Sequence, residues 1–107
     1  MKNIKTTEYY DIPGYEGKYK INFYGHIRRN YKKGHRDLRP YKNSKGRSVI
    51  KLNCKEQAVS KLMKLTFIGE LQEEMVLYHK NGIITDNCLA NLEVITKSEA
   101  DAIKEEQ

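Results

Sequence analysis

Apolar and polar positions alternate in short pieces separated by turns over the first sixty residues and change to helical spacing only afterwards. Residues 18–23 alternate strictly, Tyr24-Gly25 can reverse the chain, and His26-Ile27-Arg28 opens a second alternating piece, so the pattern predicts a hairpin. Before it, Asp11-Ile12-Pro13-Gly14-Tyr15-Glu16-Gly17 reads as turns between extended pieces. Residues 38–41 are extended, Asn43-Ser44-Lys45-Gly46 is a turn cluster, and Ser48-Val49-Ile50-Lys51-Leu52-Asn53 predicts a strand that turns at Cys54-Lys55-Glu56. Val59, Leu62, Met63 and Phe67 then fall near helical spacing, which predicts a short buried helix over 59–68 with Ser60 as its cap and Gly69 as its stop. Strands are expected over 75–78, entering the Asn81-Gly82 turn, and over 92–95. Thr96-Lys97-Ser98-Glu99 has the form of a capping box, so a helix should run to about Ala102 or beyond. Residues 1–7 are polar and aperiodic and read as a loose leader.

With 107 residues the chain has the size of one α+β domain. It contains no apolar run near the ~18 residues that would span a membrane. Its start lacks the apolar stretch of a secretory signal, so cytoplasmic residence is expected. Cys54 and Cys88 then read as free thiols, either buried or incidental, since they form no C-x-x-C pair.

The net charge of +6 conceals a division. Residues 18–64 hold fifteen Lys and Arg against only Asp37 and Glu56, whereas residues 65–107 hold three basic residues against nine acids. Dense positive charge interleaved with Tyr19, Phe23, Tyr24, Tyr31 and Tyr41 suits contact with phosphates, because each cation placed on a polyanion releases condensed counterions. The candidates are Arg28, Arg29, Lys32, Lys33, Arg36, Arg39, Lys42, Lys45 and Arg47. His26 and His35 read as phosphate-facing or plain surface residues. The acidic end would repel phosphate and favours a basic protein surface as partner.

Three phrases carry a family resemblance. Tyr10-Asp11-Ile12-Pro13-Gly14-Tyr15-Glu16-Gly17-Lys18-Tyr19-Lys20-Ile21-Asn22, then Gly25-His26-Ile27-Arg28, resembles the nuclease-associated modular domain fused to phage HNH homing endonucleases. Leu38-Arg39-Pro40, Asn43-Ser44-Lys45-Gly46 and Val49-Ile50-Lys51-Leu52 continue that likeness. The stretch from Tyr78-His79 through Asn91-Leu92-Glu93 resembles the HNH motif itself, with His79 and Asn91 twelve residues apart. The likeness covers about residues 8–100.

The resemblance implies a leader (1–7), a basic β-rich module (8–58) and a ββα-metal, or His-Me, finger (59–107), all in one compact unit. It implies His79 as general base, Asn91 as the residue orienting His79 or its loop, and Asn87 as a residue ordering that loop. In the family an Asp precedes the first His and an Asn follows the middle Asn by about nine residues, the pair holding one divalent metal. Here those places are Tyr78 and Ala100, and Ser60 stands where a His is common. A hard cation needs oxygen ligands, usually carboxylates, which neither residue supplies. Asp86, Glu99 and Asp101 are the carboxylates an active enzyme would have to recruit. A shift of one helical residue turns a side chain by about 100°, so recruitment requires remodelling.

The expected function is that of a phage-type nucleic-acid-binding protein derived from an HNH homing endonuclease, with impaired or lost cleavage. It would act on double-stranded DNA in the cytoplasm of an infected bacterial host, without a cofactor. Two alternatives stand beside it. One is a working DNA-nicking endonuclease using Mg²⁺ or Mn²⁺; the other is a phage inhibitor that binds a host or defence protein through the acidic C-terminal half.

Overall fold

Three antiparallel sheets follow one another along the chain in the computed structural model, which describes residues 7–106. The expected leader therefore lies outside the described residues, apart from Thr7. The first sheet is a meander of β1 (Tyr9–Asp11), β2 (Tyr19–Asn22), β3 (Ile27–Tyr31) and β4 (Gly34–Leu38). The second comprises β5 (Tyr41–Lys42), β6 (Ser48–Leu52) and β7 (Lys55–Ala58). A short helix α1 (Val59–Met63) leads, through a wide π-helical turn (Lys64–Ile68), to the hairpin of β8 (Met75–His79) and β9 (Leu92–Thr96) and the closing helix α2 (Lys97–Glu106). The fold is α+β.

The predicted β2–β3 hairpin forms, with Tyr19 opposite Arg29 and Ile21 opposite Ile27. Strand β4 follows a stretch that gave no strand signal. Its Gly-His-Arg-Asp sequence is exposed and lacks alternation, and it pairs through its backbone with β3 alone. The turn expected at residues 54–56 lies one residue earlier. Asn53 and Cys54 both take positive φ, 51° and 66°, forming the mirror-image turn that suits a two-residue hairpin, and Lys55 already pairs with Leu52. Cys54 is accordingly exposed and Cys88 only partly covered, so neither thiol is a core residue.

Helix α1 begins after Ala58, whose side chain makes no capping bond; Ser60 is the second helical residue and not the cap. The predicted helix over 59–68 is α-helical only to Met63. Beyond that it widens, and the Gly69 N–H reaches the Lys64 carbonyl at 2.7 Å. Gly69 ends the helix as expected, with φ of 92°.

One hydrophobic cluster draws on all three sheets and α1. Ile12, Tyr19, Ile21 and Ile27 come from the first sheet and its leading turn, and Ile50 and Leu52 from the second. Val59, Leu62 and Met63 come from α1, and Leu92 from β9. The Tyr19 hydroxyl also accepts a hydrogen bond from the Asn53 N–H at 3.2 Å, tying the β6–β7 turn to β2. Each fully buried aliphatic side chain contributes about 1.5–3 kcal/mol through removal from water. Sharing these residues across residue 58 makes the basic strands and the hairpin that follows them depend on one core. Among the described residues no helix is long and apolar enough to cross a membrane.

Candidate active site

In the β8–β9 hairpin His79 lies opposite Leu92, whose side chain enters the core, so the strand end carrying His79 is pinned from behind. The chain then leaves the hairpin through Asn81-Gly82, where the Gly82 N–H returns to the His79 carbonyl at 2.9 Å. The twelve residues 80–91 must reach β9 without strand partners, and their polar side chains supply missing bonds.

Asn91 does most of this. Its Oδ1 accepts from the Asn81 N–H at 3.1 Å, and its Nδ2 donates to Asn81 Oδ1 at 3.0 Å and to the Asp86 carbonyl at 2.9 Å. Asn81 in turn donates to the Asp86 carboxylate at 2.7 Å. These bonds close the loop on itself. Asn91 therefore orders the loop and makes no bond to His79.

The residue that holds His79 is Asn87. His79 Nε2 lies 2.9 Å from Asn87 Oδ1, which is an acceptor only, so Nε2 donates and Nδ1 is the free nitrogen of the neutral ring. Asn87 is 5% exposed and braced from the other half of the chain. The Leu89 N–H donates to the Phe23 carbonyl at 2.8 Å. Gly25, with φ of 83°, lies so close that a Cβ there would stand 3.3 Å from the Asn87 carbonyl oxygen. That turn is itself fixed by buried Asn22, whose Oδ1 accepts from the Tyr24 and His26 N–H groups at 3.0 and 2.9 Å. The β2–β3 turn, Asn87 and the His79 ring thus form one chain of direct contacts. The Asp86-Asn87 pair signals a turn in sequence, and only the fold reveals that Asn87 reaches the histidine.

Beside His79 is an open hollow of about 630 Å³. Tyr78, His79, Ala100, Asp101, Ser60 and Lys97 all line it, as does Arg47 from the β5–β6 turn. Positions 60, 78 and 100, at which the resemblance implies other residues, therefore share one concavity with the candidate base. Lys97 was legible only as part of the capping box, yet positions 97, 100 and 101 have the i, i+3, i+4 spacing of one helix face. That spacing, once the cap fixes the helix start, would have found it.

These residues do not fit a divalent cation. Asp101 is the one carboxylate in the hollow. The Asp86 carboxylate is taken up in the loop by Asn81 and the Cys88 N–H, and Glu99 is engaged with Thr96 at the start of α2. Among the described residues no three His, Cys, Asp or Glu side chains converge as a ligand set. The hollow can accept an anion more readily than it can coordinate a metal.

The basic candidates spread over the first two sheets. Arg29 and Arg36 stand directly opposite on one face of the β3–β4 hairpin, and Arg28 projects from the other face. Like charges so paired repel unless an anion lies over them. Arg29 also lies 5.0 Å from the Tyr31 ring. Arg28 is differently placed: its guanidinium packs 3.6 Å over the Tyr9 ring and faces Asp37 at 3.8 Å. Lys32 and Lys33 form the exposed tip of that hairpin, Arg39 and Lys45 are exposed on linking segments, Lys42 is exposed at the end of β5, and Arg47 lines the hollow. His26 and His35 are exposed.

Residues 59–102 match the sequence model of a family described as HNH endonuclease. The fold is similar to that of a solved structure of the HNH homing endonuclease I-HmuI, a protein that binds and cleaves DNA. The TM-score is 0.73 and the identity 25%, and the match covers 94% of this chain. The chain spans 59% of the length of that protein. No curated protein matches. In sequence and in fold the chain is similar to HNH homing endonucleases.

Proposed function

We propose that the protein is a phage-type, DNA-binding derivative of an HNH homing endonuclease in which cleavage is impaired or lost. The observation that carries this reading is the hollow beside His79. Its base and the support of that base are intact, while Tyr78 and Ala100 occupy the positions at which the resemblance implies metal ligands. Divalent metal is the usual partner of HNH chemistry, where it stabilises charge developing on the phosphate. Without it, an imidazole can still accept a proton at Nδ1, but the hollow offers side-chain cations in place of a divalent metal that could coordinate the attacking or leaving oxygen.

DNA remains the partner that the basic strands suit best. Fifteen basic residues against two acids in 18–64, with Arg29 and Arg36 side by side, give a surface whose self-repulsion is relieved by a polyanion. Binding would be electrostatic and largely indifferent to sequence unless side chains also reach base edges.

The test is incubation with supercoiled plasmid in Mg²⁺ or Mn²⁺, beside His79→Ala, on a gel that resolves both mobility shift and nicking. A shift without nicking is the expected result. Nicking that disappears in His79→Ala would establish the enzyme reading, with Asp101 as the carboxylate nearest to hand.

A further inference from the structure

The hollow beside His79 has a charge arrangement opposite to that of a metal site. Arg47 reaches it from the β5–β6 turn and Lys97 from the first turn of α2, against the single carboxylate of Asp101. Ser60 adds a hydroxyl donor from α1, and Tyr78 and Ala100 add no charge. The two cations lie fifty residues apart in the chain, and Arg47 continues the basic surface of the strands into the concavity. Its position is fixed by the backbone: the Arg47 N–H donates to Asn43 Oδ1 at 3.0 Å, and its carbonyl accepts from the Asn43 N–H at 3.0 Å. A phosphodiester is a monoanion with two free oxygens, a match for the guanidinium fork and the ammonium that line this one hollow. A carboxylate at position 78 would repel that phosphate unless a cation lay between them. Tyrosine removes the repulsion together with the ligand.

We infer that this hollow takes a backbone phosphate of duplex DNA directly, held by Arg47 and Lys97 with Ser60 donating, and with no divalent cation between protein and phosphate. The inference rests on the DNA-binding reading above and gives the former catalytic concavity a positive role. It turns a site for breaking a phosphodiester into one that grips it.

Fluorescence anisotropy with a short labelled duplex, in EDTA and in Mg²⁺ at matched ionic strength, tests it. The full chain is compared with Arg47→Ala/Lys97→Ala, Lys32→Ala/Lys33→Ala and Tyr78→Asp. Both side chains of the first pair are exposed, so their truncation leaves the fold intact. The wild-type protein should bind equally with and without Mg²⁺. The Arg47→Ala/Lys97→Ala variant should bind on the order of tenfold more weakly, with the log–log salt slope shallower by about 0.9 for the one phosphate lost. Tyr78→Asp should weaken binding in EDTA and recover it in Mg²⁺; Ala100→Asp, on α2, repeats this test should the strand variant fail to fold. Wild-type binding that requires Mg²⁺, or an unchanged salt slope in Arg47→Ala/Lys97→Ala, overturns the phosphate clamp. Loss of affinity in Lys32→Ala/Lys33→Ala would then show that the DNA-binding reading survives it. No binding by the wild-type protein overturns both.

Discussion

The basic strands and the His79 finger are packed on one core, yet they meet solvent with opposite charge and keep their polar groups for different purposes. In the strands, Arg and Lys side chains lie outward on exposed hairpins, with Arg28 turned to Tyr9 and Asp37. In the finger nearly every polar side chain of the loop is spent on the loop: Asn81, Asp86 and Asn91 bond one another, Asn87 holds His79, and Thr96 and Glu99 start α2. The contrast separates two requirements that an HNH unit normally combines. The loop closes on its own hydrogen bonds, and the hollow beside it holds a single carboxylate, Asp101. The finger's loop is closed by its side-chain network, so its fold does not depend on a bound ion.

The largest effect should come from the strands. If six to ten of the basic side chains contact phosphates, affinity for duplex DNA should fall by about 10³–10⁵ between 50 and 200 mM salt, measured by anisotropy. A flat response would remove the distinction between the two regions. The shared core gives the next effect. Met63, wholly buried in α1 between them, should cost about 2–5 kcal/mol when replaced by Ala. Urea denaturation followed by both tyrosine fluorescence and circular dichroism should still show one coincident transition. Two separated transitions would mean that strands and finger fold apart.

Asn87→Ala should cost about 1–3 kcal/mol, because it leaves His79 Nε2 and its half-buried surroundings without their acceptor. Nitrogen chemical shifts of the His79 ring should then lose their preference for the Nε2–H tautomer, while DNA affinity stays unchanged. An unaltered His79 spectrum would break the proposed contact chain from Phe23 and Gly25 to the histidine. The smallest effect is at the helix start. Thr96→Ala removes the acceptor of the Glu99 N–H and should cost about 1 kcal/mol, read from the thermal midpoint.

Much of this architecture is legible in the sequence. The alternation over 18–23, the Asn43-Ser44-Lys45-Gly46 turn, β6, β8, β9 and the α2 cap all appear where local pattern and turn chemistry place them. What local pattern misses is decided by partners distant in sequence. Strand β4 is polar and exposed and exists because β3 offers it an edge. The β6–β7 turn falls at Asn53-Cys54 because a two-residue hairpin needs both residues at positive φ, a demand that outweighs the polar look of Lys55-Glu56. Ser60 looked like a cap because it is a serine near a helix start, but β7 runs directly into α1 and leaves it inside the first turn, facing the hollow.

The candidate site divides in the same way. Residues 79 and 91 stand out by spacing, and positions 78 and 100 stand out only through the family resemblance, which implies other residues there. Asn87 as the support of His79, and Arg47 and Lys97 as neighbours across the hollow, depend on contacts between segments far apart in the chain. No one-dimensional pattern records them.

The proposed loss of cleavage requires a finger that is folded yet unable to hold a divalent cation. Titration of Mn²⁺ into the protein, followed by paramagnetic broadening of the His79 ring signals, tests this most directly, with Tyr78→Asp/Ala100→Asn as the comparison. The wild-type signals should stay sharp, and those of the double variant should broaden as the two ligands implied by the family pattern return. Selective broadening of His79 in the wild-type protein at low Mn²⁺ would show a working metal site and contradict the account.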